Sequence, residues 1–490
     1  MVVRCLLVAL TFLISLTEWT ALRLPRRQIS FADIPPQLSD WVEQQGFSST
    51  DFSRQIGLIN DKTAEREERG EYEHLIYYML QSRKFTNLPR VEPAISAYEF
   101  VKGLTETDRS QFLAERSSFV PSIERMPNLA RGRMTDLIKV SRKPGDSDRL
   151  SYFSTMIAKA GTSDVVIQKR LVAEYAETMR FLYRKEFSSR SVRPEELAAY
   201  VSSLYQNRGH STDTQIEANY AVHLALASLK AQSPSLKLNR ILIVGPGLDV
   251  APRTDLIDEF EPQTYQPFAV ADALLSLSLA DASKLTIHSV DINHRVVEHI
   301  NSLKSKKETS LSVLSGIADT PLRPLTPEFK TYFTGLGKSV GSEQSLKVTE
   351  TLSSHLKKSI LVSRRVINVL TADNLNIVTE RYEPSPGYDL VVVTNVFPYF
   401  SRPELLFALS NIASMMHQDA YLIHNDLQSI PSIFVKALGL PLKEARTVLI
   451  ASGQGQSLFD GIALHRKEPT STNPAQQVAA PNIKQHRRTQ

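Results

Sequence analysis

Cysteine is all but missing: Cys5 is the only one in 490 residues, so neither an intrachain disulfide nor a cysteine-ligated metal centre is available. Long apolar runs are missing too. The N-terminal run Cys5–Leu16 falls short of the ~20 residues that span a bilayer, and a chain with 42% hydrophobic and 22% charged residues is an ordinary globular protein, of two to four domains by its length. A strong excess of one charge is also absent. The 57 Lys+Arg against 52 Asp+Glu give +5, and that surplus lies at the ends. Arg4, Arg23, Arg26 and Arg27 against Glu18 put +3 on residues 1–27. Arg466, Lys467, Lys484, Arg487 and Arg488 against Glu468 put +4 on residues 466–490, which leaves residues 28–465 at −2. Nucleic-acid proteins carry a basic face on the folded body, so no nucleic acid is expected as partner.

Residues 1–22, MVVRCLLVALTFLISLTEWTAL, have the basic start, apolar stretch and polar end of a secretory signal peptide. Trp19 stands where cleavage wants a small side chain. If the segment is retained as an anchor, Arg23, Arg26 and Arg27 behind it favour a cytoplasmic body. Residues 1–27 therefore read as a signal peptide or membrane anchor, the protein's only expected contact with a membrane, and export and a cytoplasmic body stand as alternatives. At the other end, 467–490 is rich in Pro, Gln, Asn and Thr with few large apolar residues, the composition of a disordered tail.

Between the ends the pattern changes once. Residues 28–207 read as successive helices, among them 61–82, 163–187 and 194–206. Tyr72, His74, Tyr77 and Tyr78 crowd the first of these; an amphipathic helix with a satisfied histidine is the plainer reading, a pocket wall the sharper one. From Lys237 onward, short β-branched runs alternate with helices: 238–245, 283–291, 359–371, 388–395 and 420–426. Fully apolar strands alternating with helices imply a mostly parallel sheet covered on both faces. The last two strands, 444–452 and 457–466, have only Gly-Gln-Gly-Gln between the core of each, which predicts an antiparallel hairpin at the sheet edge. The expected fold class is thus α/β, a Rossmann-like mostly parallel sheet with a C-terminal antiparallel hairpin, preceded by an all-α N-terminal region.

Sheets of this kind bind ligands beyond the carboxyl ends of their strands. The first strand ends in Gly245-Pro246-Gly247, where the lack of a Cβ lets a ligand approach the backbone. The second ends in Asp291, placed to accept two ribose hydroxyls or simply to cap the next helix. The third ends in Asp373-Asn374, polar groups suited to a base edge. The fourth ends in Thr394-Asn395, followed by Tyr399, where a reacting group would lie.

Together, the apolar strand into Gly245-Pro246-Gly247, the Ser-Val-Asp291 ending, YDLVVVTNVFPYF with its following helix and YLIHND strand, and the terminal hairpin resemble class I S-adenosylmethionine-dependent methyltransferases over 208–466. The resemblance implies S-adenosylmethionine as cofactor. It assigns the methionine portion to Gly245 and Gly247, the ribose to Asp291 and the adenine to Asp373, with Asn374 as the alternative; Asn395, at the end of the fourth strand, is counted with them as cofactor-binding. It also makes 208–229 a helix that covers the cofactor, capped near Thr212 or Asp213, with Glu217 as a contact. Methyl transfer is an in-line displacement that needs alignment more than a base, so no catalytic residue and no metal is assigned; the acceptor, a small molecule or a protein, is not specified. A second reading, an exported or anchored binding protein that keeps the fold without catalysis, draws on the signal-like start and on Asp249 standing where a third glycine would be. A nicotinamide-dependent oxidoreductase suits Asp291 but neither the glycine count nor the hairpin.

Overall fold

The alternation of β-branched runs and helices builds the centre of the molecule. A computed structural model describes residues 24–82, 85, 88, 96–114, 117–214, 216–250, 260–348, 350–426, 430–453 and 457–469. Within them run β1 (Arg26–Gln28), β2 (Arg240–Val244), β3 (Thr286–Asp291), β4 (Ser310–Ala318), β5 (Gly341–Gln344), β6 (His355–Val362), β7 (Leu370–Asn374), β8 (Glu380–Tyr382), β9 (Tyr388–Val393), β10 (Met416–His424), β11 (Leu442–Ala451) and β12 (Leu458–Arg466). Seven of them form the main sheet in the order β11-β12-β10-β9-β2-β3-β7. From β7 to β10 neighbouring strands are parallel; β12 runs antiparallel to both β10 and β11. The α/β class, the mostly parallel sheet and the closing hairpin are those expected from the sequence.

Burial on both faces explains why these strands carry no polar alternation. Along β2, Ile241 and Ile243 join one apolar cluster and Leu242 and Val244 the other, the period of two that a pleated strand imposes. One cluster holds residues 72–80, the helices from Ala97 to Glu186 and the helix Ile216–Gln232. The other holds Ile29 to Ile59 together with the helix Arg402–Met415. The helix Phe52–Gln81, which starts nine residues before the expected 61, belongs to both. Its first turns pack Phe52 edge-on to Phe407, and its last turns stack Tyr78 on Phe153. It therefore passes from one side of the sheet to the other across the strands' carboxyl ends.

That passage depends on a close approach between backbones. A Cβ on Gly70 would lie 1.7 Å from the carbonyl oxygen of His210, and the His210 N–H donates to Arg66 O at 2.7 Å. In an isolated helix Gly→Ala gains about 1 kcal/mol. Here Gly70→Ala is expected to have the opposite sign, a loss of about 2–3 kcal/mol from overpacking, measured by urea denaturation of the full chain.

Two expectations are corrected. The single strand at 359–371 is three elements: β6 ends at Val362, the helix Arg364–Val369 intervenes, and β7 begins at Leu370. Arg364 and Arg365 cannot enter a sheet buried on both faces, and the Arg364 guanidinium instead donates to Lys306 O at 2.9 Å. β6 pairs outside the main sheet, in a separate antiparallel sheet of order β4-β6-β5. Second, the helix expected to be capped at Thr212 or Asp213 starts at Ile216; the Thr212 hydroxyl donates to Leu248 O at 2.9 Å instead.

Residues 1–23 of the signal-like segment, 470–490 of the tail and 251–259 after the glycine turn lie outside the described residues. Arg26–Gln28 pairs antiparallel with β8. No helix among the described residues is long and apolar enough to cross a membrane.

Candidate functional site

The strand order reverses between β2 and β9, and in open sheets of this type the ligand crevice forms at that point, beyond the strand ends. β2 leads into Gly245 and Gly247 with φ of 66° and 76°, left-handed values that favour glycine. A Cβ on Gly247 would meet Thr212 O at 2.7 Å. The turn is held by Gly245 N–H donating to Val290 O at 2.8 Å and Leu248 N–H to Thr212 O at 2.7 Å. Beyond β9, Asn395 also has positive φ, 59°, a left-handed conformation that asparagine adopts more readily than other residues with a side chain. Its N–H donates to Asn425 Oδ1 at 2.8 Å, and Asn425 Nδ2 returns a bond to Asn395 Oδ1 at 2.9 Å.

Asp291 closes the opposite side. Its Oδ1 accepts the Asn293 N–H at 2.8 Å, and the N–H groups of Gly247 and Ile292 also point to the carboxylate. The residue keeps part of its surface open to the cavity, yet burial of the carboxyl pushes its pKa up to about 7. Glu67, reaching in from the helix Phe52–Gln81, is raised to about 7 as well, by burial first and then by the charges of Glu71 and Asp291. Gly245, Gly247, Asp291 and Asn395 thus line one cavity.

Asp373 and Asn374 do not line it. Asp373 Oδ2 lies 3.0 Å from His288 Nε2 and accepts the Tyr382 hydroxyl at 3.0 Å; the His288 contact holds its pKa below the usual carboxylate range. The Asn374 amide donates to the carbonyls of Asp291 and Ile292. The cavity wall after β7 is Leu375 to Val378 instead. Glu217 sits in a neighbouring groove and accepts the Gly316 N–H at 2.8 Å.

The roof is the part that sequence reading missed. Thr63, Arg66 and Glu67 of the helix Phe52–Gln81 cover the cavity. Arg66, 4% exposed, donates from Nε to Arg208 O at 3.0 Å, from Nη1 to Tyr399 O at 2.9 Å and from Nη2 to Tyr205 O at 2.8 Å. Burial lowers its pKa to about 10, which leaves it a cation at neutral pH. Under this roof the cavity is narrow, about 100 Å³. Of the aromatic cluster on the same helix, Tyr72, His74, Tyr77 and Tyr78 are all buried. His74 Nε2 accepts the Thr212 N–H at 3.4 Å, Tyr77 reaches the wall of the neighbouring groove, and Tyr72 lines a separate cavity beside Tyr152 and Met156.

A second cavity, a groove of about 810 Å³, adjoins the first through Ser211, Asp213, Asn395 and Tyr399, which line both. Its walls are the helices Asp164–Glu186 and Pro194–Gln206 on one side and the β11-β12 hairpin on the other. Leu197 and Phe459 at its margin are 37% and 54% exposed. The arrangement is that of two compartments meeting at Asn395, one narrow and roofed, one wide.

No family model and no curated protein matches the sequence. Solved structures similar to it include N-methyltransferase NodS from Bradyrhizobium japonicum WM9 in complex with S-adenosyl-L-homocysteine, at 12% identity over 50% of this chain and 85% of that one, TM-score 0.25. Magnesium protoporphyrin IX methyltransferase (ChlM) from Synechocystis PCC 6803 with bound SAM is similar at 9% identity over 60% and 97% of the two chains, TM-score 0.26. A TehB-like SAM-dependent methyltransferase from Corynebacterium glutamicum is similar at 11% over 58% and 98%, TM-score 0.24. The fold assignment itself rests on strand order and the closing hairpin.

Proposed function

We propose that the chain binds S-adenosylmethionine in the roofed cavity and transfers its methyl group to an acceptor held beside Asn395. The observation that carries this reading is the Asp291 carboxylate at the end of the second strand, facing a turn with two positive-φ glycines across the point where strand order reverses. The residues present suit such a ligand. Asp291 accepts ribose hydroxyls, and Gly245 and Gly247 let the backbone come within contact distance. Leu375, Ile377 and Val378 offer an apolar surface to a flat base. Glu67 and Asp291 supply negative potential to a cationic ligand.

Asp373 and Asn374 act as positioning residues, the latter by clamping the backbone on which Asp291 sits. When bound, the cofactor supplies a methyl group activated on a sulfonium. The chain aligns it with the acceptor and excludes water through the Arg66-anchored roof.

Calorimetric titration of the full chain with S-adenosylmethionine and S-adenosylhomocysteine, with NAD as control, tests the reading. Binding of the first two in the micromolar range is the expected result. No heat at millimolar concentration, or NAD binding as tightly, overturns it.

The titration also has a defined pH dependence. The ionised carboxylate accepts both ribose hydroxyls, whereas protonation turns one of its oxygens into a donor, and burial holds the Asp291 pKa at about 7 in the free chain. Affinity for S-adenosylhomocysteine is therefore expected to fall about tenfold between pH 8 and pH 6, as one proton must be released on binding. A flat profile would remove Asp291 from the contact.

A further inference from the structure

The wide groove beside Asn395 has a chemical character of its own. Its carboxylates are Asp213, Glu217, Asp426 and Asp460, against two cations, Lys185 and Arg208. Arg208 is matched by the buried Glu73 and lies over the Phe181 ring at 4.1 Å. The exposed Lys185 lies over Tyr205 at 5.4 Å, so the groove is left with an excess of negative charge. Its walls are aromatic: Tyr77, Phe181, Tyr205, Tyr399 and Phe459.

Asp460 stands next to the junction of the two cavities. Its Oδ1 accepts the Gly461 N–H at 2.8 Å and Asn425 Nδ2 at 3.4 Å. Asn425 is the residue that bonds Asn395 twice. Oδ2 has no protein partner among the described residues.

We infer that this groove is the acceptor subsite and that its acceptor is an amine carried on a flat apolar body, an inference that rests on the methyl-transfer reading above. A carboxylate or phosphate acceptor would meet Asp213, Asp426 and Asp460. An aliphatic hydroxyl would need a base far stronger than a carboxylate to become nucleophilic. An ammonium group is drawn into an acidic, aromatic-walled groove and needs only to shed one proton to become a nucleophile. That proton passes to Asp460, whose carboxyl burial raises to about 6. The amine lone pair then forms the N–C bond while the C–S pair remains on sulfur, and the product leaves as a methylated ammonium with charge balanced throughout.

The test is calorimetry of the full chain saturated with S-adenosylhomocysteine, using phenethylamine and its acidic counterpart hydrocinnamate as probes. Phenethylamine is expected to bind at least about tenfold more tightly than hydrocinnamate. Asp460→Asn is expected to weaken the amine by about tenfold while leaving S-adenosylhomocysteine affinity unchanged. Phe459→Ala, at a half-exposed position on the groove's margin, is expected to weaken it by about threefold. The inference is overturned by hydrocinnamate binding as tightly as the amine, by no amine binding at millimolar concentration, or by amine binding unchanged in both variants. Failure of S-adenosylhomocysteine to bind would strike the cofactor reading instead, and the two probes titrated without it would still report the preference of the groove.

Discussion

Asp291→Ala is expected to weaken S-adenosylhomocysteine binding by about a hundredfold. Two hydrogen bonds to a carboxylate, each contributing about 1.5 kcal/mol, sum to about 3 kcal/mol, and 1.4 kcal/mol is a factor of ten. The alanine also frees the N–H groups of Asn293, Gly247 and Ile292, so Asp291→Asn is the sharper variant, since its amide oxygen can still accept from that turn. Its effects on binding and stability should have opposite signs. The folded-state pKa of Asp291 lies above its unfolded value, so the carboxyl favours the fold below about pH 4 and that contribution is lost as pH rises through about 7. At pH 8 the asparagine variant, carrying no such charge, is expected to be at least as stable as the parent in urea while binding the ligand more weakly. A variant both less stable and unaltered in affinity would show Asp291 to be structural.

Arg66→Met is expected to reduce stability by about 3–5 kcal/mol, the largest single loss anticipated for any side chain of the roof. Methionine fills much of the volume but leaves three carbonyl acceptors, on Arg208, Tyr205 and Tyr399, without a donor, and hydrogen bonds to charged groups contribute about 1.5–3 kcal/mol each before water compensates in part. Arg66→Lys should recover only part of the loss, because an ammonium has no planar fork to reach three carbonyls at once. Urea denaturation of both variants measures this, and a loss under about 1 kcal/mol would mean that water satisfies the carbonyls equally well.

What the sequence revealed follows from how local each constraint is. A parallel sheet buried on both faces forces uninterrupted apolar strands, so β2, β3 and β9 were visible as runs, and the absence of a helix between β11 and β12 marked the hairpin. Gly245, Gly247, Asp291 and Asn395 stand at strand ends, where the backbone path alone brings them to one cavity. Asp373 and Asn374 share that location along the chain, but side-chain direction was decided by His288, Tyr382 and the backbone after β3, which no local pattern encodes.

The roof was illegible for a stronger reason. Arg66 and Glu67 are ordinary residues of a charged helix; the role of Arg66 depends on carbonyls 139 to 333 residues away, and that of Glu67 on burial beside Asp291. The one local trace was Gly70, a poor helix former in the middle of a strong helix. The split of 359–371 escaped notice because its apolar content continues across Ser363-Arg364-Arg365.

The two compartments that meet at Asn395 differ in how they communicate with solvent. On the acceptor side the margin is formed by exposed Leu197 and Phe459. The other side is covered by a helix pinned through one guanidinium to two separate segments, at Tyr205–Arg208 and at Tyr399, over a space of about 100 Å³. On the methyl-transfer reading this inequality imposes a sequence on the traffic. The donor would load first, beneath the covering helix, and its spent thioether would leave last, with the methylated product passing out through the groove between those two events.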